Sequence, residues 1–201
     1  MKIAKALLAT LIYLIVLAGV YYVHVTYFRV NVVFYSAIAD GVIASVLLAG
    51  LAWALPYFKV FNAFEKLQLV IIWLLTGYIL AISVPAVIDR SLSFYILEKL
   101  QQRGGGIRLD AFEQVFTKEY VKEHRLVDVR LTEQYQSGTI LIKDGCVTLT
   151  GKGERLATFS RYFRQHFLPK QRLLMGVYSD ALTDPFRGSL ATPEYTCHVD
   201  K

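Results

Sequence analysis

Three long apolar runs constrain this chain more than anything else in it. Residues 3–28 hold no Lys, Arg, Asp or Glu except Lys5, residues 32–58 hold only Asp40, and residues 67–88 hold none. A helix needs roughly 20 apolar residues to cross about 30 Å of hydrocarbon. Each run reaches that length, which predicts three spanning helices within residues 1–91. Tyr21, Tyr22, Tyr27, Trp53, Tyr57 and Tyr78 lie mostly near the ends of the runs, where aromatic rings anchor at the headgroups. Lys2 and Lys5 ahead of the first run have the look of a signal-peptide n-region, but the stretch is too long for an h-region and lacks a clear small-residue cleavage site.

Inside such runs the few polar residues carry the information. Asp40 falls on the order of 13 Å along the second span by helical rise. A charge at that depth costs at least ~2.5 kcal/mol on insertion scales, which makes it a site candidate by default. With three spans, His24, Ser83, Asp89 and Arg90 share Asp40's side of the membrane. Asp89-Arg90 marks the exit from the third span, and Pro85 is placed to kink it. The structural alternative is that Asp40 is neutral or hydrogen-bonded and only ties helices together.

The net charge of +6 is spread over the whole chain: residues 1–91 carry six basic and three acidic residues, residues 92–201 sixteen and thirteen. This excess suits an anionic surface and does not announce a nucleic-acid binder. Cys146 and Cys197 are too few for a disulfide framework or a zinc site, and His24, His124, His166 and His198 show no metal-ligand spacing. No catalytic constellation, metal set or cofactor motif stands out. The stretch CVTLTGKGERL, residues 146–156, hints at a phosphate cradle. Yet Gly145 and Gly151 enclose five residues where a P-loop has four, and Gly153 stands where a Ser or Thr would hold magnesium.

The second half reads as a small domain over residues 92–168. A helix beginning near Ser91 places Leu92, Tyr95, Ile96, Lys99 and Leu100 on one face and ends at Gly104-Gly105-Gly106. After an extended segment at 107–109, Asp110 is in register to cap a second helix with Glu113 three residues on, its buried stripe being Ala111, Phe112, Val115 and Phe116. A third helix is expected over 122–136, with Leu126, Val129 and Tyr135 inward. Two β-rich runs around Asp144-Gly145 have the composition of a tight hairpin. Thr150 then caps a fourth helix, 151–168, with Leu156, Phe159, Phe163 and Phe167 on one stripe and Pro169 at its end. Residues 169–201 read as an irregular tail.

Helix, short strand, helix, helix, hairpin, helix is the order of a winged-helix domain, and CVTLTGKGERLATF resembles the second wing strand and following helix of MarR- and PadR-type winged-helix proteins. The resemblance implies that Leu149 fills the core, Thr150 caps and Gly153 permits close packing. It also implies that the helix at 122–136 would read DNA, with Lys122, Arg125 and Arg130 as its contacts. Glu123, Asp128 and Glu133 neutralise that helix, whereas phosphate binding needs net positive charge. Positive charge gathers instead at Lys152, Arg155, Arg161, Arg164, Lys170 and Arg172 against Glu154 alone, a set suited to lipid headgroups or an acidic partner.

The fold class expected is therefore a three-helix membrane bundle carrying an α+β winged-helix domain. The function expected is a non-enzymatic accessory or regulatory subunit of an inner-membrane complex, contacting membrane lipid and either a larger membrane protein or a second copy of itself. Envelope polysaccharide or lipid-linked sugar machinery is a system it would suit, with no residue that singles it out. The alternative is a membrane-tethered transcription regulator binding nucleic acid. Lysines and arginines near the membrane tie at four on each side. Two unpaired cysteines and the winged-helix resemblance argue for a cytoplasmic C-terminal domain.

Overall fold

A computed structural model of the chain describes residues 2–187. The chain divides into two compact units, residues 1–126 and 127–201.

The first unit opens with three helices long and apolar enough to cross a membrane: α1 (Lys2–Tyr27), α2 (Val33–Ala54) and a third apolar stretch, Ala63–Arg90. The third is broken near its end, as Pro85 foretold. Helix α3 (Ala63–Ser83) stops at Val84, and α4 (Pro85–Arg90) restarts with proline in its first turn, where a missing N–H costs nothing. At the opposite end Asn62 and Glu65 form a reciprocal capping box, each bond 2.8 Å long, and Lys2 reaches Glu65 at 2.8 Å.

Lipid offers no hydrophobic drive between helices, so they associate through small residues and hydrogen bonds. Helix α2 buries Ala37, Gly41, Ala44, Ser45 and Ala52. A Cβ on Gly77 would lie 2.5 Å from the Tyr13 hydroxyl and 3.0 Å from Gly41 Cα, so the backbones of α2 and α3 meet at these two glycines. Tyr13 and Trp73 are fully buried and stack with centroids 5.9 Å apart. Trp73 Nε1 donates to Thr10 Oγ1 at 3.2 Å, and Ser45 Oγ donates to the Gly41 carbonyl at 2.7 Å.

Beyond the membrane segment, α5 (Leu92–Gln102) is capped by the Ser91 side chain and released by Gly104 and Gly105 at positive φ. The next helix, α6, spans residues 112–123 and carries a π-helical stretch, Val115–Tyr120. Asp110 does not cap it: the residue sits inside a 3-10 turn and its carboxylate pairs with Arg108, two residues back. Tyr95, Val115 and Tyr120 form the local core, with Ile107, Phe116 and Leu126 against it. The helix expected at 122–136 is interrupted: His124 ends α6, Arg125 adopts φ 44, and α7 begins at Leu126 (Leu126–Gln136). A left-handed non-glycine residue breaks the hydrogen-bond ladder, so Lys122, Arg125 and Arg130 do not lie along one helix.

In the second unit β1 (Ile140–Lys143) and β2 (Cys146–Leu149) form the expected hairpin, Lys143 opposite Cys146. Asp144 and Gly145 both have positive φ, the signature of a type I′ turn. Thr150 caps α8 (Gly151–Phe167) by accepting from Gly153 N at 3.1 Å. A Cβ on Gly153 would stand 2.1 Å from the Thr139 carbonyl oxygen, which is why only glycine fits there. Three expectations for this unit fail. Leu149, assigned to the core, is exposed, as are Val129 and Tyr135. Leu156, Phe159, Phe163 and Phe167 share a stripe but remain exposed. The stretch after Pro169, expected to be irregular, contains a second hairpin, β3 (Arg172–Leu174) with β4 (Val177–Ser179), turning at Met175-Gly176. Cys197 and His198 lie outside the described residues.

Candidate functional site

Of the polar groups placed in or near the membrane, two come into contact. His24 lies one turn before the end of α1 and Asp40 two turns into α2, about 5 Å and 10 Å from those helix ends by rise. The short loop between the helices makes them antiparallel neighbours, so the residues meet: His24 Nδ1 is 2.6 Å from Asp40 Oδ1. Asp40 is fully buried while the His24 side chain remains 25% exposed. Asp40 Oδ2 is buried without a hydrogen-bond partner among the described residues. A carboxylate holding one imidazole nitrogen fixes the ring's orientation and leaves the other nitrogen to face outward.

The remaining two intramembrane candidates stand apart from this pair. Asp89 is exposed. Arg90 lies over the Phe34 ring, 5.4 Å from its centroid, a cation–π contact at the start of α2. Ser83 is exposed at the end of α3.

A second buried charge, Lys99 on α5, belongs to the face read from the sequence as apolar. It is 4% exposed, lies 2.7 Å from Glu119 Oε2 and 2.6 Å from Glu123 Oε1, and has the Tyr95 ring beside it. Tyr95 donates to Glu123 at 2.9 Å, and Arg103 closes on Glu119 at 3.0 Å. The hydrogen bonds to Glu119 and Glu123 raise the Lys99 ammonium above its usual range, and the same contacts hold both carboxyls below theirs. Burial raises Tyr95. Every partner's charge is answered here, which makes this a structural cluster. Sequence reasoning placed Lys99 on the right face and missed its role, because its acidic partners come from another helix.

The basic candidates of the second unit are accessible. Arg155, Arg161, Lys170 and Arg172 are exposed and Arg164 is half-buried; Lys152 instead donates to the Ser137 carbonyl at 2.6 Å. At 100° per residue Arg155 and Arg164 flank the exposed stripe of α8 on opposite sides, and Arg161 lies farther round. The exposed rings Phe159, Phe163 and Phe167 touch one another along the stripe. Among the residues proposed for DNA contact, Lys122 lies in the last turn of α6, Arg125 occupies the turn, and Arg130 is held by Glu133 at 2.7 Å.

No cysteine among the described residues is free. The two unpaired cysteines that favoured a reducing compartment are therefore not available as an argument. No group of His, Cys, Asp or Glu among the described residues could hold a metal ion. No family model, curated protein or solved structure matches the chain.

Proposed function

We propose that this protein is a non-enzymatic accessory subunit of a cell-membrane complex, anchored by its three spanning helices and holding its α8 surface against an anionic bilayer face. The observation that carries the reading is the exposed stripe of α8. Phe159 and Phe167 are 61% and 64% exposed, with Arg155 and Arg164 flanking them. An apolar stripe bordered by arginines, whose stems cover apolar surface while their heads reach phosphate, is the composition of a helix lying in the headgroup plane. A winged-helix order of elements over residues 92–168 remains part of this reading, serving contact with lipid or protein. Reading of nucleic acid is the weaker alternative: Arg130 is committed to Glu133 and the reading helix is broken at Arg125.

With basic residues balanced across the membrane, the winged-helix order of elements keeps the C-terminal domain on the cytoplasmic side in this reading, where such domains usually work.

One experiment tests surface and side together. Phe159→Cys and Glu154→Cys, on different faces of α8, are expressed in the full chain and exposed in inside-out membrane vesicles to a membrane-impermeant maleimide. Glu154→Cys is expected to react, and Phe159→Cys to react several-fold more slowly until detergent is added. Equal rates at both positions would remove the bilayer contact. Reaction of Glu154→Cys in intact cells would put the domain on the other side of the membrane.

A further inference from the structure

The two hairpins of the second unit make the same turn with opposite chemistry. Each places a non-glycine residue and then a glycine at positive φ: Asp144-Gly145 between β1 and β2, Met175-Gly176 between β3 and β4. Asp and Asn are the side chains that tolerate the first of these positions best. Asp144 fits that preference and faces water. Met175 does not fit it, yet stands 84% exposed at the tip of its hairpin. We infer that the β3–β4 hairpin is a wedge that inserts its tip, residues 174–177, between the headgroups of the bilayer that the spanning helices cross. The inference rests on the reading of the second unit as lying against a bilayer face, and adds the element that penetrates it.

The strand register favours lipid over protein as the occupant. Leu174 pairs with Val177 and Leu173 with Tyr178, and side chains alternate between faces along a strand. One face therefore carries Leu174 and Val177, the other Leu173 and Tyr178, and all four are exposed. A strand pair that packs on protein needs only one apolar face, as in β1, where Ile140 is buried and Lys143, on the opposite face, is exposed. Burying both faces of β3–β4 requires surroundings that are apolar on every side. Polarity runs along this hairpin instead of across it: Lys170 precedes it, Arg172 lies opposite Ser179 at its open end, and Met175 forms the tip. Basic residues behind an apolar tip match anionic headgroups above hydrocarbon. Strands of three residues reach about 10 Å, comparable to the roughly 5–10 Å by which interfacial elements bury themselves. Deeper entry is opposed by the outer edges of a two-stranded sheet, whose N–H and C=O groups find no partner in hydrocarbon.

Met175 supplies its own probe, because Met1 is the only other methionine in the chain. The full chain carrying carbon-13 methyl methionine is reconstituted in nanodiscs of phosphatidylcholine and phosphatidylglycerol, with Met175→Leu identifying the signal. Asp144→Met adds a reference methyl at the tip of the other hairpin. A lipid spin-labelled near its headgroup should broaden the Met175 methyl several-fold more than the reference, and a water-soluble gadolinium chelate should do the reverse. Leu174→Glu and Tyr178→Glu, one on each face, should each reduce the lipid broadening to the reference level, whereas Leu174→Val should keep it. Loss with only one of the two glutamates would leave the hairpin a single working face and overturn the wedge. Protection from the chelate without broadening by the lipid would mean that protein covers the tip, and would overturn it too. Broadening no greater than the reference also overturns it. In that case, slow reaction of Phe159→Cys would leave α8 alone on the bilayer, and reaction as fast as that of Glu154→Cys would remove the bilayer-face reading itself.

Discussion

Lys99 and Asp40 are both ionisable, both buried and both in the first unit, yet the chain treats them differently. Lys99 has two carboxylates within 2.7 Å, a tyrosine ring beside it and an arginine that engages one of those carboxylates. Asp40 has one histidine and an oxygen with no partner. Burying a charge is tolerable when pairing and hydrogen bonds answer it, and removing one partner of such a set is far more damaging than never building it. The fully answered site thus behaves as architecture, and the half-answered site has capacity left for something else.

The largest effect expected follows from that contrast. Lys99→Met should leave Glu123 without its cation and Glu119 with Arg103 alone, put an uncharged chain where a buried ammonium joined two helices, and expose residues 92–123 to faster proteolysis and hydrogen exchange. Asp40→Leu should do the opposite of what depth in the bilayer suggests. It removes an unsatisfied acceptor along with a single bond to a partly exposed ring, so thermal unfolding followed by Trp73 fluorescence in detergent should stay within about 1 kcal/mol of the parent. If Asp40→Leu unfolds the bundle and Lys99→Met is silent, the assignment of roles is inverted.

Acidity provides a graded version of the first change. Glu119 and Glu123 are held below the ordinary carboxylate range chiefly by Lys99. Their contribution to stability is therefore present above the unfolded carboxylate value of about 4.3 and is lost as pH falls through their lower folded values. Lys99 is raised, so its contribution is complete below about 10.4 and is lost only as pH climbs past its folded value. Hydrogen-exchange protection of residues 92–123, after division by the intrinsic rate at each pH, should accordingly be flat across neutral pH and should fall on the acid side below about 4. The raised Tyr95 phenol loses its contribution on the alkaline side too. A transition near neutrality would remove the carboxylates from the account.

What the sequence disclosed divides along the same line between local and distant causes. The spans, the cap at Thr150, the Asp144-Gly145 turn and the break at Pro85 are written in neighbouring residues and were legible; the cap read at Asp110 was not formed, and the close approach of Gly153 to the Thr139 carbonyl, fourteen residues back, came only from the winged-helix resemblance. The π-helical stretch at Val115–Tyr120 and the left-handed Arg125 carry no Gly or Pro signal and were not. Periodicity showed that Leu156, Phe159, Phe163 and Phe167 share a face, but a period cannot say what covers a face, and no described residue of the second unit buries it. His24 and Asp40 were each legible as intramembrane polar residues because hydropathy isolates them. Their contact depends on the rotation of α1 against α2, which the Gly41–Gly77 and Tyr13–Trp73 packing fixes and no single segment encodes.

The smallest effect expected separates burial from charge within the same cluster. Arg103 engages Glu119 at 3.0 Å, closely comparable to the 2.7 Å of Lys99, but its side chain is 53% exposed against 4% for Lys99. If distance set the energy, the two cations would matter about equally. Solvent screening and the entropy of a long exposed side chain reduce such a pair to about 0–1 kcal/mol. Moreover, Glu119 keeps Lys99 when Arg103 is lost, so no carboxylate is left unanswered. Arg103→Ala should therefore shift hydrogen-exchange protection of residues 92–123 by no more than about 0.5 kcal/mol, and that small difference should vanish when salt shortens the screening length to about 3 Å at 1 M. A loss approaching that of Lys99→Met, or one that persists in salt, would mean that the cluster is held together by total charge, and the distinction between an answered and an unanswered buried ion would lose its basis.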